Sequence, residues 1–245
     1  VAEKMKKLWL SEKMIAHAFW RELVCSVYKE EALADSKKIA RLTAPLVDRF
    51  PSVAGSISIE SGMFLWLLAK YFTPERICEI GTYIGRSTLA MACGSAKTVK
   101  NIYTCDGTYD CMKFTDLDVS FANGNKVDAI KKIEYFGKTM STVMLQRLDE
   151  NNISPDMIFI DGRIGVEDCK ILTKICSEDC VFLLDDFDGV EKGVLNAVML
   201  RGIFKGHILL EPPVMEKTGR VLNLAVLIPS KILSLSRQQS MPVNM

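Results

Sequence analysis

The feature that most constrains the fold is an alternation of short apolar runs with helix-like segments from residue 57 onward. Five apolar runs are predicted strands: 76–80, 101–106, 141–146, 156–161 and 180–185. Five further segments are predicted helices: 62–72, 86–95, 124–137, 165–176 and 190–204. Such alternation favours a parallel sheet with helices on both faces. Two last runs, 206–211 and 221–228, have no helix between them, so they should pair antiparallel and complete an α/β fold with a mostly parallel seven-stranded sheet.

The first 50 residues have a different pattern. Residues 2–31 carry large apolar side chains at mostly three- and four-residue spacings among Lys and Glu, which predicts an amphipathic helix. A second helix is predicted over 35–48, before Pro51. We interpret 1–50 as an N-terminal helical extension, suited to packing, to a homodimer contact or to a lid. The main domain is then 51–230, and 231–245 is a flexible tail.

Composition excludes several kinds of partner. The chain has 31 basic and 30 acidic residues, so no overall field favours nucleic acid or an anionic membrane. No apolar run approaches the roughly 20 residues of a membrane span, and the charged N-terminus lacks the apolar centre of a cleaved signal. The eight cysteines are scattered without a C-x-x-C pair, which is typical of reduced thiols. We therefore expect a cytoplasmic protein with a small-molecule partner.

The stretch "EIGTYIGRS" (79–87) follows the first predicted strand. In an open parallel sheet, ligands bind beyond the carboxyl ends of strands where the strand order reverses. Gly81 and Gly85 allow the backbone to approach a ligand closely, and the helix that begins near Ser87 has free N–H groups suited to a carboxylate or phosphate. The dinucleotide fingerprint G-x-G-x-x-G is not matched, which disfavours a pyrophosphate.

Acidic residues end two other predicted strands. Asp161 follows "MIFI", and Asp185 and Asp186 follow "VFLL". If these strands are parallel, the carboxylates meet at the same sheet edge as the glycine turn. Carboxylates about 4 Å apart repel by about 4 kcal/mol at an effective dielectric near 20, so a shared cleft favours a divalent cation or a raised pKa. Asp185 and Asp186 can share an ion only if the strand has begun to turn; the alternative is that all three cap helices in solvent.

The segment 60–92, "ESGMFLWLLAKYFTPERICEIGTYIGRSTLAMA", resembles the catechol and caffeoyl-CoA type O-methyltransferases, which are metal-dependent, class I S-adenosylmethionine-dependent methyltransferases. The resemblance implies a Rossmann-like fold, S-adenosylmethionine as the methyl donor, and magnesium or a related ion. Positions that match the donor-binding motif are Glu79, Gly81, Thr82, Tyr83, Gly85, Ser87, Asp106 and Asp161. Positions that match the metal ligands are Asp161, Asp185 and Asp186. Asp106 would accept the ribose hydroxyls; its alternative role is that of a turn aspartate before Gly107.

The chain departs from the family just after Asp161. Family members commonly keep a Lys or His three residues later as a general base, whereas this chain has Ile164. Arg163 does not deprotonate and would hold an anionic substrate or pair with Asp161. His17 could reach over the cleft from the helical extension, although a structural role is the alternative for it and for His207. The candidate catalytic residues are Asp161, Arg163 and His17, and either the metal alone activates the acceptor or the acceptor is not a phenol or catechol.

Other pocket residues are weaker candidates. Gln146 and Arg147, at the end of the predicted third strand, are candidates for the adenine pocket. Tyr83, Tyr109 and Phe187 are candidates for the acceptor pocket, with ordinary packing as the alternative. The leading prediction is O-methylation of a small-molecule hydroxyl assisted by a divalent metal. Metal-independent or nitrogen-directed transfer is an alternative, as is an inactive protein of the same fold that acts in binding or assembly.

Overall fold

The computed structural model describes residues 2–49, 56–108, 124–212 and 222–232, with side chains described from 13 to 46 in the first range and throughout the others. Seven strands lie in these ranges: β1 (Arg76–Ile80), β2 (Asn101–Asp106), β3 (Ile133–Gly137), β4 (Met157–Ile160), β5 (Val181–Leu184), β6 (His207–Leu210) and β7 (Ala225–Pro229). Eight α-helices accompany them: α1 (Ala2–Val24), α2 (Lys29–Arg49), α3 (Ile59–Phe72), α4 (Arg86–Gly94), α5 (Gly124–Ile130), α6 (Ser141–Glu150), α7 (Val166–Ile175) and α8 (Leu195–Ile203). A π-helical turn, Val190–Val194, precedes α8.

The strands form one sheet in the order β3-β2-β1-β4-β5-β7-β6. The pairs from β3 to β5 are parallel, and β7 is antiparallel to both β5 and β6. The predicted fold class is therefore confirmed. The chain moves outward from β1 to β3 and then returns to the other side of β1 as β4. The carboxyl ends of β1 and β4 consequently lie at the point where the strand order reverses, which is where open α/β sheets bind ligands.

Alternating side chains of the strands enter two separate apolar clusters. Ile77 belongs to the cluster under α1 to α5, and its neighbour Cys78 belongs to the cluster under α6 to α8. The same alternation separates Phe159 from Ile158 on β4. Both faces of the sheet are thus covered, as the continuous apolar character of the strands predicted.

The N-terminal helices share the first apolar cluster with the sheet. On α1, Phe19 and Leu23 are buried, and Trp20 Nε1 donates a hydrogen bond to the backbone oxygen of Glu211 at 2.7 Å. On α2, Asp35 accepts hydrogen bonds from Trp66 and Lys126, as described below. The first helix ends at Val24 and the second begins at residue 29, earlier than the predicted 35. The predicted tail, 231–245, falls almost wholly outside the described residues.

A buried ion cluster fastens α2 to the rest of the domain. Lys126 Nζ on α5 lies 2.7 Å from Asp35 Oδ2 and 2.7 Å from Glu31 Oε1. Trp66 Nε1 on α3 donates to the same Asp35 oxygen at 3.0 Å. The side chains of Lys126 and Asp35 are 10% and 8% exposed, whereas that of Glu31 is 47% exposed. Removing either Lys126 or Asp35 would therefore leave the other as a buried, unpaired charge.

The predicted third strand is wrong. Residues 141–146 begin helix α6, with Met144, Leu145 and Leu148 buried at helical spacing. The third strand is Ile133–Gly137, which the pattern had placed in a helix over 124–137. Val127, Ile130 and Ile133 recur every three residues and so imitate a helical stripe, but the helix ends at Ile130. β3 is an edge strand with mixed exposure, and its apolar signal is correspondingly weak.

Two further observations concern the protein's surroundings. Within the described ranges, no helix has both the length and the apolar character needed to cross a bilayer. The seven cysteines in these ranges are free thiols, and five of them are buried.

Candidate active site

The glycine turn after β1 is held by β2. The N–H groups of Gly81 and Thr82 both donate to the backbone oxygen of Cys105, at 2.9 and 3.1 Å. Gly81 and Gly85 have φ values of 103° and 75°, which side chains rarely adopt. Gly85 caps α4 and supplies no side-chain hydrogen bond to it. The first N–H groups of α4 therefore have no side-chain cap, which suits them to bind an anion.

The turn also packs on the carboxyl end of β4. The N–H of Asp161 donates to the oxygen of Ile80 at 2.8 Å. A Cβ atom added to Gly81 would lie 2.5 Å from the backbone oxygen of Asp161, closer than two such atoms can approach. The absence of a side chain at Gly81 is therefore required by the neighbouring strand. As a consequence, the glycine turn and Asp161 form one continuous surface.

Glu79 is fully buried under this turn. Its Oε2 atom accepts hydrogen bonds from the Thr104 hydroxyl at 2.5 Å and from the Thr88 hydroxyl. Its Oε1 atom is buried and has no hydrogen-bond partner among the described residues. Burial raises the pKa of Glu79, and the hydroxyl groups of Ser87, Thr104 and Thr88 partly oppose that shift. A buried acceptor left unpaired costs about 1–3 kcal/mol, so the site favours a cationic or proton-donating ligand group.

Asp106, at the end of β2, orients the same turn. Its Oδ2 accepts from the N–H of Tyr83 at 2.8 Å, and its Oδ1 accepts from the N–H of Thr108 at 2.9 Å. The first bond holds Tyr83 in its left-handed conformation, with φ of 44°. These contacts match the turn-aspartate alternative. The ribose role of Asp106 stays a prediction.

The structure brings the three predicted acidic residues together. Oxygen atoms of Asp161, Asp185 and Asp186 all lie within 4.8 Å of one another. The N–H of Asp185 continues the sheet by donating to Ile160 at 3.0 Å, and β5 ends just before it. Asp186 has φ of 53°, so the chain has already turned there. This turn allows neighbouring side chains to converge, as the sequence required for a shared ion.

A lysine that the sequence analysis did not identify enters this acidic cluster, which we define as Asp161, Asp185 and Asp186. Lys192 Nζ lies 2.6 Å from Asp186 Oδ2 and 3.8 Å from Asp161 Oδ1. Lys192 belongs to the π-helical turn, whose wider spacing differs from the three- and four-residue rule used to read helices. Its only sequence signal was a basic residue shortly after the paired aspartates.

Burial and mutual repulsion set the proton affinities of the cluster. Burial, followed by the charge of Asp185, raises the pKa of Asp161 to about 8. Burial, followed by the charge of Asp186, raises the pKa of Asp185 to about 6. The Lys192 ammonium opposes both shifts. Three converging carboxylates form the oxygen-rich donor set that hard divalent cations prefer, so the residues present fit such an ion.

The other candidate catalytic residues lie apart from the cluster. Arg163 pairs with Glu191 at 2.6 Å in an exposed ion pair, and no contact between Arg163 and Asp161 is found among the described residues. Ile164 is buried, with its N–H directed at Asn196 Oδ1 at 3.3 Å. His17 is exposed on α1, which contacts β6 at the far edge of the sheet. His207 is buried, and its ring nitrogen lies 2.8 Å from the Cys180 oxygen, as a structural histidine would.

The predicted placement of Gln146 and Arg147 at a strand end is wrong, because both are exposed on α6. The segment that approaches the end of β2 is the start of α6: a Cβ on Gly107 would lie 3.0 Å from Met140 Sδ. Met140 directly precedes α6 and is exposed. The position of Met140 near the end of β2 could have been predicted from the sequence only if the third strand had been placed correctly.

The outcome differs among the three aromatic candidates for the acceptor pocket. Tyr83 is buried in the glycine turn. Phe187 packs partly against the second apolar cluster, and its N–H donates to the Asn223 oxygen at 2.9 Å, which favours the packing alternative. Tyr109 lies outside the described residues.

Comparison with known proteins supplies independent evidence of the family and of the fold. A family model described as O-methyltransferase matches residues 25–164, more than half of the chain. No curated protein matches by sequence. The crystal structure of the O-methyltransferase TomG from Streptomyces achromogenes, in complex with SAM, matches with a TM-score of 0.52 and 19% identity over 81% of this chain and 89% of that one. The O-methyltransferase from Bacillus cereus, in complex with SAH, matches with a TM-score of 0.52 and 18% identity over 80% and 90%. At these identities, the likeness to the solved structures shows the fold alone.

Proposed function

Because the chain belongs to the O-methyltransferase family, we propose that it transfers a methyl group from S-adenosylmethionine to a hydroxyl of a small-molecule acceptor, assisted by a divalent ion such as magnesium. The observation that carries this proposal is the contact between Gly81 and the backbone of Asp161. It joins the turn suited to the donor with the cluster suited to the ion. Methyl transfer needs its two reactants in near-attack geometry, which can contribute about 7–11 kcal/mol.

The donor would bind along the glycine turn. The uncapped N–H groups of α4, together with Ser87, would receive the methionine carboxylate. The Oε1 atom of Glu79, which has no partner in the part of the chain that the structure describes, would accept a hydrogen bond from a cationic group of the donor. Asp106 would accept the ribose hydroxyls while it continues to hold Tyr83. Thr82 and the two glycines would line the approach.

The acceptor would bind beside the acidic cluster. Asp161, Asp185 and Asp186 would hold the ion, which when bound lowers the pKa of a coordinated hydroxyl. The guanidinium of Arg163, which is exposed and paired with Glu191, would hold an anionic part of the acceptor. His17 remains a candidate only if the N-terminal helices act as a lid.

Metal-independent transfer is the second candidate, and Lys192 favours it. The Lys192 ammonium already provides a cation between Asp161 and Asp186. A site compensated in this way does not need a metal to relieve the repulsion among its carboxylates.

Two experiments test the proposal together: calorimetry measures the binding of S-adenosylhomocysteine, and an assay with methyl-labelled S-adenosylmethionine measures methyl transfer. We expect the chain to bind S-adenosylhomocysteine and to label phenol, catechol or other hydroxyl acceptors when magnesium is added. Transfer that survives exhaustive chelation would favour the second candidate. Binding without transfer to any hydroxyl or amine acceptor, under any metal condition, would identify an inactive protein of this fold. Absence of donor binding would refute the donor site itself.

We also propose a cytoplasmic protein that forms a homodimer. The described cysteines are free thiols, as a reducing compartment maintains them. Met14 on α1 and Val27 beyond it are exposed apolar side chains near the N-terminal helices, where a second subunit would bury them. Sedimentation of the full chain, compared with a Met14→Glu variant, would test the contact.

A further inference from the structure

We propose that Lys192 is a tethered cation that competes with a divalent ion for the acidic cluster, so that the ion binds only when Lys192 is displaced. The inference rests on the ion site proposed above and assigns to this chain a residue that governs its occupancy. It concerns the charge and position of Lys192 and does not depend on a change in its protonation.

The first argument is the position of the ammonium group. Lys192 Nζ lies 2.6 Å from an oxygen of Asp186 and 3.8 Å from an oxygen of Asp161. These are two of the three carboxylates whose oxygens converge. A divalent ion would bind such oxygens at about 2.0–2.6 Å, so both cations would draw on the Asp186 carboxylate and would repel each other.

The second argument is that the backbone holds Lys192 at this place. The π-helical turn packs against the end of β5, since a Cβ on Gly193 would lie 2.5 Å from the backbone oxygen of Asp185. The neighbouring Glu191 is paired with Arg163 at 2.6 Å. The root of the Lys192 side chain is therefore fixed beside the carboxylates.

The third argument is that the head of the side chain can leave. The Lys192 side chain is 41% exposed, whereas that of Asp161 is 16% exposed. A long, flexible stem with a strongly hydrated ammonium can move into solvent without breaking a packed core. The cluster thus has two arrangements, one closed by Lys192 and one open to an ion.

The test is a calorimetric titration of the chelator-treated full chain with Mn²⁺, an ion that accepts oxygen ligands. We expect Lys192→Met to bind Mn²⁺ at least about tenfold more tightly than the unaltered chain, because a competing charge is removed. Lys192→Arg keeps the charge and should bind as weakly as the unaltered chain. Lys170→Met is the matched control, since within the described ranges Lys170 forms an exposed pair with Glu167 on α7, and the variant should leave Mn²⁺ affinity unchanged.

The outcomes separate this inference from the proposed function. Equal Mn²⁺ affinity of the unaltered chain and Lys192→Met would overturn the competition, as would a Lys192→Met variant that still binds no Mn²⁺. The same gain for Lys192→Arg would show that packing, not charge, is responsible, and would also overturn it. S-adenosylhomocysteine binding is measured on the same samples: its retention shows that each variant is folded, and its absence throughout refutes the donor site without affecting the metal result.

Discussion

The glycine turn and the acidic cluster lie against each other but are built in different ways. In the turn, the charged groups are held by short, rigid partners: Asp106 by two backbone N–H groups and Glu79 by threonine hydroxyls. In the cluster, the long side chain of Lys192 is the cation that balances the three carboxylates among the described residues. The difference indicates a preorganised donor half and an adaptable ion half. Substitutions in the turn should therefore change stability and donor affinity together. Substitutions in the cluster should mainly change its balance of charge.

Gly81→Ala should have the largest effect. The added Cβ would meet the Asp161 backbone oxygen in a backbone conformation that already disfavours side chains. We expect a loss of unfolding free energy of about 3 kcal/mol or more, together with loss of S-adenosylhomocysteine binding. Urea unfolding and calorimetry measure the two effects. Gly202→Ala is the control, because no atom of the described residues lies within 4 Å of its added Cβ; similar stability of both variants would show that the turn is not rigid.

The acidic cluster should make the ion-free protein less stable as the pH rises. Folding raises the pKa of Asp161 from 3.8 to about 8. The protonated Asp161 carboxyl therefore stabilises the folded protein fully below pH 3.8, and this stabilisation is lost as the pH rises through about 8. Asp185 acts in the same direction up to about pH 6. With about 1.4 kcal/mol per pKa unit, the unfolding free energy should fall by a few kcal/mol between pH 4 and 8.

Asp161→Asn resembles the protonated aspartic acid and should remove much of this pH dependence. Denaturant unfolding of chelator-treated protein at several pH values checks it. Asp128→Asn, which removes an exposed carboxylate paired with Lys131, is the control and should leave the profile unchanged. A steep loss of stability that persists in Asp161→Asn would place its origin elsewhere.

Asp106→Asn should weaken donor binding by about tenfold and also lower the free energy of unfolding by about 1–3 kcal/mol, because both oxygens of Asp106 accept backbone N–H groups. One carboxylate oxygen becomes an amide, so one acceptor at the turn is lost while the side-chain shape is kept. Asp156→Asn is a close control, because Asp156 also accepts two backbone N–H groups, from Glu75 and Arg76, but at the amino ends of β1 and β4. Calorimetry should show weaker S-adenosylhomocysteine binding for the first variant only; equal weakening would mean that Asp106 acts through stability alone.

Arg163→Ala should have the smallest effect on stability, below about 1 kcal/mol, because its ion pair with Glu191 is exposed. If Arg163 holds an anionic acceptor, the variant should raise KM with little change in kcat. Glu191→Ala breaks the same ion pair but keeps the guanidinium, so it should not raise KM. An equal effect of both variants on KM would assign the pair a structural role.

Most of the fold followed from local patterns. Four of the five strands predicted before the final pair were placed within a residue or two, because buried parallel strands are continuously apolar. The missed strand, β3, lies at the sheet edge, where partial exposure weakens that signal. The family assignment is confirmed by the family model, since the glycine turn and its flanking residues lie in one continuous segment.

The sequence by itself determined which residues belong to the turn and which acidic residues reach the same sheet edge, because strand ends and glycines are local features. Only the tertiary structure decided what these residues contact. It placed Gly81 against Asp161, paired Arg163 with Glu191 instead of Asp161, and brought Lys192 into the acidic cluster. These contacts depend on the register of β4 against β1 and on a π-helical turn, and neither leaves a periodic signal along the chain.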